Sequence, residues 1–227
     1  MEAFERIAFA MDVSTLKDAC KFEAMLGPYV GAFKVGLELF ISCGGIPRIE
    51  KPVILDLKLH DIPETVARAV KAGGDLGAKF MTLHVQQRKT LEMAVKAAEP
   101  FGMTLLGVTV LTSMNDDDCK DLGYVPLQPS TRTLSMAQFG HDCGLRGFVC
   151  SPHEVGKLKG AFPDSFFLVP GVRPAGSDVG DQKRVGTPAQ TVRDGADLIV
   201  VGRPIRDAAD PIAAAKAIAA EIESSSV

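Results

Sequence analysis

Residues 52–61 read Pro-Val-Ile-Leu-Asp-Leu-Lys-Leu-His-Asp, an apolar run that turns, from Asp56 to Asp61, into two carboxylates, an ammonium and an imidazole. Charge at the end of a buried segment is costly unless it is paired, so the cluster is either a salt-bridged cap or a reaction site. The residues C-terminal to it decide the fold. "IPETVARAVKAGG" (62–74) reads as a helix with proline in its first turn, "KAGGDLGA" (71–78) supplies glycines past its end, and "FMTLHV" (80–85) returns to an apolar run. Strand, helix, glycine turn and strand make a βαβ unit.

The same rhythm runs along the chain. Apolar runs recur as "RIAFAM", "AFKVG", "PVILDL", "FMTLHV", "TLLGVTVL", "GFVCS", "FFLVPG" and "DLIVVG", with amphipathic segments between them. Their spacing averages about 28 residues. Nearly continuous hydrophobicity is what parallel strands covered on both faces require. Ser151-Pro152-His153-Glu154 and Thr187-Pro188-Ala189-Gln190 each join a capping hydroxyl, a proline and a reach-back side chain, which predicts helix starts at both. No Pro/Ser-rich linker divides residues 1–227. The expectation is one α/β domain over the whole chain, a (β/α)8 TIM barrel; a doubly wound sheet would use fewer strands, although the order of the runs alone does not separate the two. Two segments break the rhythm, 115–136 ("NDDDCKDLGYVPLQPSTRTLSM") and 170–188 ("PGVRPAGSDVGDQKRVGTP"). Both read as long polar loops on the side of a barrel where active sites lie.

The 227 residues are 46% hydrophobic and 23% charged, the composition of a globular protein able to bury a large core. A net charge of −3 gives no general attraction to nucleic acid or to anionic membranes, and with no Trp and two Tyr there are few stacking platforms for single strands. Neither nucleic acid nor membrane is an expected partner, and any anion must be held by a local site. Five cysteines without a CxxC pair suggest free thiols in a reducing cytoplasm. The start "MEAFERIAFAMDV" does not fit a secretory signal, and no run approaches a membrane span.

A barrel would gather the C-terminal ends of its strands at one mouth. Asp12 closes the first run, Lys34 lies in the second, and Asp56 and Lys58 stand two apart at the end of the third, on one face of an extended segment. Asp61 lies three residues further on. Capping is an alternative for Asp61, before the helix at Pro63, and for Asp12, before the first helix. Lys34, flanked by Phe33 and Val35, needs carboxylates nearby if its strand is buried. Asp56, His60, Asp61 and His84 could ligate a metal, but Lys34 and Lys58 would repel a divalent cation, whereas alternating charges neutralise one another without one. No metal is expected, and His60 and His84 read as satisfied core or rim side chains. Such an array suits a lysine general acid acting on an atom that gains negative charge. Further along, the loop after the seventh run and the short helix opening at "GRPI" (202–205) form the usual phosphate site of a barrel, with the N–H groups of Gly202 and Arg203 and the Arg203 guanidinium as donors. A surface salt bridge is the plainer alternative for Arg203, but the strand-to-helix turn fixed by the preceding "LIVVG" favours phosphate.

Taken together, Asp12, the lysine of "FKVG", "DLKLHD" as a form of Asp-x-Lys-x-x-Asp, "PGVRPAGSDVGDQ" and "GRPI" resemble the orotidine 5'-phosphate decarboxylase family over nearly the whole chain. The resemblance implies a homodimeric barrel with shared active sites that converts orotidine 5'-monophosphate to UMP without a cofactor. By motif, Lys34, Asp56 and Lys58 would form the charged array with Lys58 protonating C6, and Asp61 would complete the array of the partner subunit. Asp12 would bind ribose; Arg173, Gln182, Gly202 and Arg203 would hold the phosphate; Thr112 or Ser113 would contact the pyrimidine. "LHVQQ" departs from the pattern, placing Gln86 and Gln87 where many family members have small residues or glycine. The nearest alternative is a related phosphosugar enzyme, a keto-gulonate 6-phosphate decarboxylase or hexulose 6-phosphate aldolase. Those are similar to this chain at "DLKLHD" and "GRPI" but use Mg²⁺ and an acidic residue in place of Lys34. A nucleotide binder without catalysis is a further reading, and it would be expected to have lost a member of the array.

Overall fold

The computed structural model describes residues 1–114, 116–121, 123, 129–174 and 186–224. Eight strands close into a barrel in sequence order. They are β1 (Ile7–Ala10), β2 (Ala32–Gly36), β3 (Val53–Leu59), β4 (Phe80–His84), β5 (Thr104–Val108), β6 (Gly147–Val149), β7 (Phe166–Val169) and β8 (Leu198–Val201). All neighbours are parallel, and Ile7 facing Ile199 closes the ring. The doubly wound alternative is thereby excluded.

Helices cover the outside: α1 (Leu16–Leu26), α2 (Leu37–Cys43), α3 (Pro63–Asp75), α4 (Arg88–Ala98), α5 (Asp116–Asp121), α6 (Pro129–Asp142), α7 (Val155–Ala161), α8 (Pro188–Arg193), α9 (Arg203–Arg206) and α10 (Pro211–Ser224). The period of two in each strand divides the core into two layers. Ile7, Phe9, Phe33, Val53, Leu55, Met81, Phe167 and Ile199 point outward to the helices. Ala8, Ala10, Ala32, Ile54, Leu106, Leu168, Leu198 and Val200 fill the interior, closed by Phe80 and Phe166. Side chains at the next inward position along each strand, towards its C-terminal end, therefore converge on the mouth.

Local expectations fare unevenly. Thr187 caps α8, its hydroxyl accepting from the Gln190 N–H. Gly144 (φ 96°) and Gly195 (φ 109°) take the left-handed conformation that the turns into β6 and β8 demand. The start expected at Ser151 is corrected: α7 begins at Val155. The Glu154 carboxylate does reach back to the Ser151 N–H and hydroxyl, but it also accepts from Thr133, so a buried polar network replaces the first helical turn. The long loop expected over 115–136 is also corrected, because it contains α5 and the first turns of α6. Of 170–188, residues 175–185 lie outside the described ones; Val172 and Gly186 pair in a bridge, bringing the two ends together. The five cysteines are free. No described helix is long and apolar enough to cross a membrane.

Candidate active site

Four charged side chains join in a chain across the mouth. Lys34 Nζ lies 3.0 Å from Asp12 Oδ1 and 3.5 Å from Asp56 Oδ2, and Lys58 Nζ donates to Asp56 Oδ1 at 2.8 Å. Asp12 lies just past β1, Lys34 is inward on β2, and Asp56 is inward on β3. Gly36 leaves room for the pair, since a Cβ there would come within 3.2 Å of Lys34 Nζ and 3.4 Å of Asp12 Oδ1. Burial alone would push the Asp56 carboxyl up. The ammonium groups of Lys34 and Lys58, with hydrogen bonds from Lys58 and Thr82, overcome it and hold Asp56 below the ordinary carboxylate value.

Lys58 reaches Asp56 by a route that differs from the regular extended strand expected. Its φ is 49°, and the pairing of β3 with β4 shifts between Leu55 and Leu59, so that four residues of β3 advance against two of β4. The bulge keeps Leu57 and Leu59 against the outer core while Lys58 turns its ammonium to the mouth.

Beside the array lies an apolar cavity walled by Val108, Val110, Leu111, Thr112, Val149 and Leu168, with Lys34, Asp56 and Lys58 at one side. Thr112 lines it, while Ser113 is exposed and outside the lining. A second cavity shares Lys34, Pro170 and Val200 with the first and is lined by Asp12, Arg173, Gly202, Arg203 and Arg206. The guanidiniums of Arg173 and Arg203 and the start of α9 give it a cationic character suited to a phosphate, while the Arg206 guanidinium is paired with Asp207, 2.6 Å and 3.0 Å from its two oxygens. Arg173 is buried and donates to its own neighbour's carbonyl, Val172 O, at 2.9 Å. Gln182 lies outside the described residues.

Asp61 stands apart from the array. Its carboxylate accepts from the Ile62 N–H at 2.6 Å, and α3 begins with Ile62 at the cap and no side-chain cap bond. Asp12 does not cap α1 either, that position being Thr15. The rings of His60 and His84 lie 5.2 Å apart. Burial, then the charges of His60 and Lys58, hold the His84 imidazole below its ordinary value. Among the described residues, no group of three or more His, Cys, Asp or Glu is placed to hold a metal.

Two residues escaped the sequence reading. Thr82 sits inside "FMTLHV", where only its inward register in β4 reveals that it meets Asp56 and Lys58. Arg206 comes three residues after Arg203, a spacing that puts both on one side of a helical turn.

A closed parallel barrel with a lysine–carboxylate array and an arginine-lined cavity at its mouth defines a class: the (β/α)8 barrels that hold a small anionic molecule over their strand ends. A family model described as "Orotidine 5'-phosphate decarboxylase / HUMPS family" matches residues 5–218, and the chain belongs to that family. A protein named orotidine 5'-phosphate decarboxylase from Anaeromyxobacter dehalogenans is 47% identical over 229 residues, covering 97% of this chain and 99% of the relative. One of the same name from Haemophilus ducreyi is 43% identical, covering 96% and 98%. The crystal structure of orotidine 5'-phosphate decarboxylase from Lactobacillus acidophilus superimposes with a TM-score of 0.79 at 33% identity, covering 95% of this chain and 98% of that one.

Proposed function

We propose that the protein decarboxylates orotidine 5'-monophosphate to UMP, a step of pyrimidine nucleotide synthesis, without metal or organic cofactor. The alternating run Asp12–Lys34–Asp56–Lys58 carries the reading. The phosphate sits in the cavity of Arg173, Gly202 and Arg203, with Gln182 adding a donor and Arg206, paired with Asp207, lining the edge; the pyrimidine enters the apolar cavity beside Thr112. Asp12 and Lys34, between them, face the ribose.

In this pose the C6 carboxylate lies beside Asp56, whose charge the two lysines maintain. The C6–carboxyl bond breaks, its electron pair stays on C6, and carbon dioxide leaves. The Lys58 ammonium stabilises the developing carbanion and donates the proton that forms the C6–H bond, then recovers a proton from solvent. A field set before the reaction begins is worth most here because the cavity is apolar. Binding energy at the remote phosphate helps by fixing the reacting carbon against Lys58.

Metal independence is favoured because both Asp56 oxygens already accept from cations, Oδ1 and Oδ2 from Lys58, with Lys34 near Oδ2. A divalent ion would have to displace an ammonium. Asp61, exposed and outside its own array, serves the site of a second subunit in a cytoplasmic homodimer, and one domain spans residues 1–227. The deciding experiment tracks the fall in ultraviolet absorbance of orotidine 5'-monophosphate with purified protein in EDTA. Turnover is expected; its absence, or activity on phosphosugars only with Mg²⁺ restored, would overturn the proposal.

A further inference from the structure

On the reading that Lys58 is the proton donor, we propose that Thr82 is a positioning residue that locks Lys58 and Asp56 into one rigid unit. Thr82 is 1% exposed, and its hydroxyl is used in both senses. Oγ1 donates to Asp56 Oδ1 at 2.9 Å and accepts from the Lys58 backbone N–H at 2.9 Å. Asp56 Oδ1 also accepts from Lys58 Nζ at 2.8 Å, which closes a ring through both ends of Lys58.

The ring meets a specific need. Lys58 is the one non-glycine residue at positive φ among the described residues, and it sits in the β3 bulge. A lysine in the left-handed region is strained and persists only where its surroundings over-determine it. Thr82 Oγ1 takes the N–H of that strained residue, and the same oxygen's proton fixes the carboxylate that receives the ammonium. The result is one preferred position for Nζ over the apolar cavity. A valine at this position is close in shape but offers neither bond.

Three variants test the role: Thr82→Val, Thr82→Ala and Thr82→Ser. With either hydroxyl-free chain, kcat should fall about 10- to 100-fold, the penalty of a reacting group displaced by an ångström or so, while KM and UMP affinity stay within about threefold. Thr82→Ser keeps the hydroxyl and should recover kcat to within about threefold of the parent. Crystal structures of the parent and Thr82→Val should show Lys58 leaving the left-handed region or its ammonium moving off Asp56. Wild-type kcat in a folded hydroxyl-free variant overturns the inference, as does a loss carried by KM alone. Lys58 unmoved in the Thr82→Val structure overturns it too. A parent protein that does not turn over orotidine 5'-monophosphate would overturn the proposed function instead, and the crystallographic comparison would still decide the positioning role.

Discussion

Lys34 is held between two carboxylates, its Nζ 3.0 Å from Asp12 Oδ1 and 3.5 Å from Asp56 Oδ2, with its side chain 12% exposed. It is the charged member of the wall that the two cavities share, so one ammonium faces both the arginine-lined end and the apolar end of the mouth. Lys34→Met removes this link while leaving the stem's packing. We expect kcat/KM to fall at least about 10³-fold, because a preorganised charge is lost from a site whose chemistry is electrostatic. The apparent pKa of Asp56 should rise, since one of its two cations is gone. NMR titration of the Asp56 carboxyl in both chains checks the second effect; an unchanged value would break the link between Lys34 and Asp56.

The repeating unit was plain in the sequence because parallel strands buried on both faces write themselves as apolar runs, and the charges of Asp12, Lys34, Asp56 and Lys58 interrupt those runs. Thr82 was invisible for the converse reason. Threonine is at home in any strand, and its importance comes from facing β3 across a register shift that no periodicity encodes. The bulge at Lys58 had no glycine or proline to announce it. Ser151 carried a sound start signal, yet Glu154 was drawn into bonds with Thr133 on another helix, a tertiary contact that outweighed the local preference.

The depressed values of Asp56 and His84 give the stability a defined pH dependence. A carboxyl held lower in the folded chain than its unfolded value of about 3.9 contributes stability above that value, and the contribution is lost as pH falls through the folded one. A histidine held low behaves alike from about 6.5 downward, because the unfolded chain binds the proton first. Urea midpoints should therefore decline from about pH 6.5 and again below about pH 4. His84→Gln should flatten the upper limb and Asp56→Asn the lower. Parallel pH curves in variant and parent would remove that residue as the cause.

The arginine cavity predicts a ligand-specific defect. Arg203→Ala should weaken UMP about 10- to 100-fold, the range for losing a charge-assisted hydrogen bond, and leave uridine affinity unchanged. Calorimetry with both ligands separates the outcomes. Equal weakening of uridine would move Arg203 out of the phosphate site.

Lys58→Ala should abolish decarboxylation while UMP binding stays measurable, because the proton donor is needed in the transition state and not to hold the phosphate. The assay is single-turnover absorbance at high enzyme concentration. Near-normal turnover would assign the proton to another group.

Asp61 bonds to Ile62 beside its own array instead of joining it, which makes a shared site testable without a structure of the dimer. If each site combines Lys58 of one subunit with Asp61 of the other, both single variants, Asp61→Ala and Lys58→Ala, fail alone for different reasons. In a mixed dimer one site keeps both groups and the other has neither. Random pairing of equal amounts makes half the dimers mixed, so activity should recover to about a quarter of the parent's per subunit. The measurement is kcat after co-unfolding and refolding the two chains together, against each refolded alone. No recovery, in a mixture shown to contain mixed dimers, would confine Asp61 to its own subunit and end the shared-site proposal.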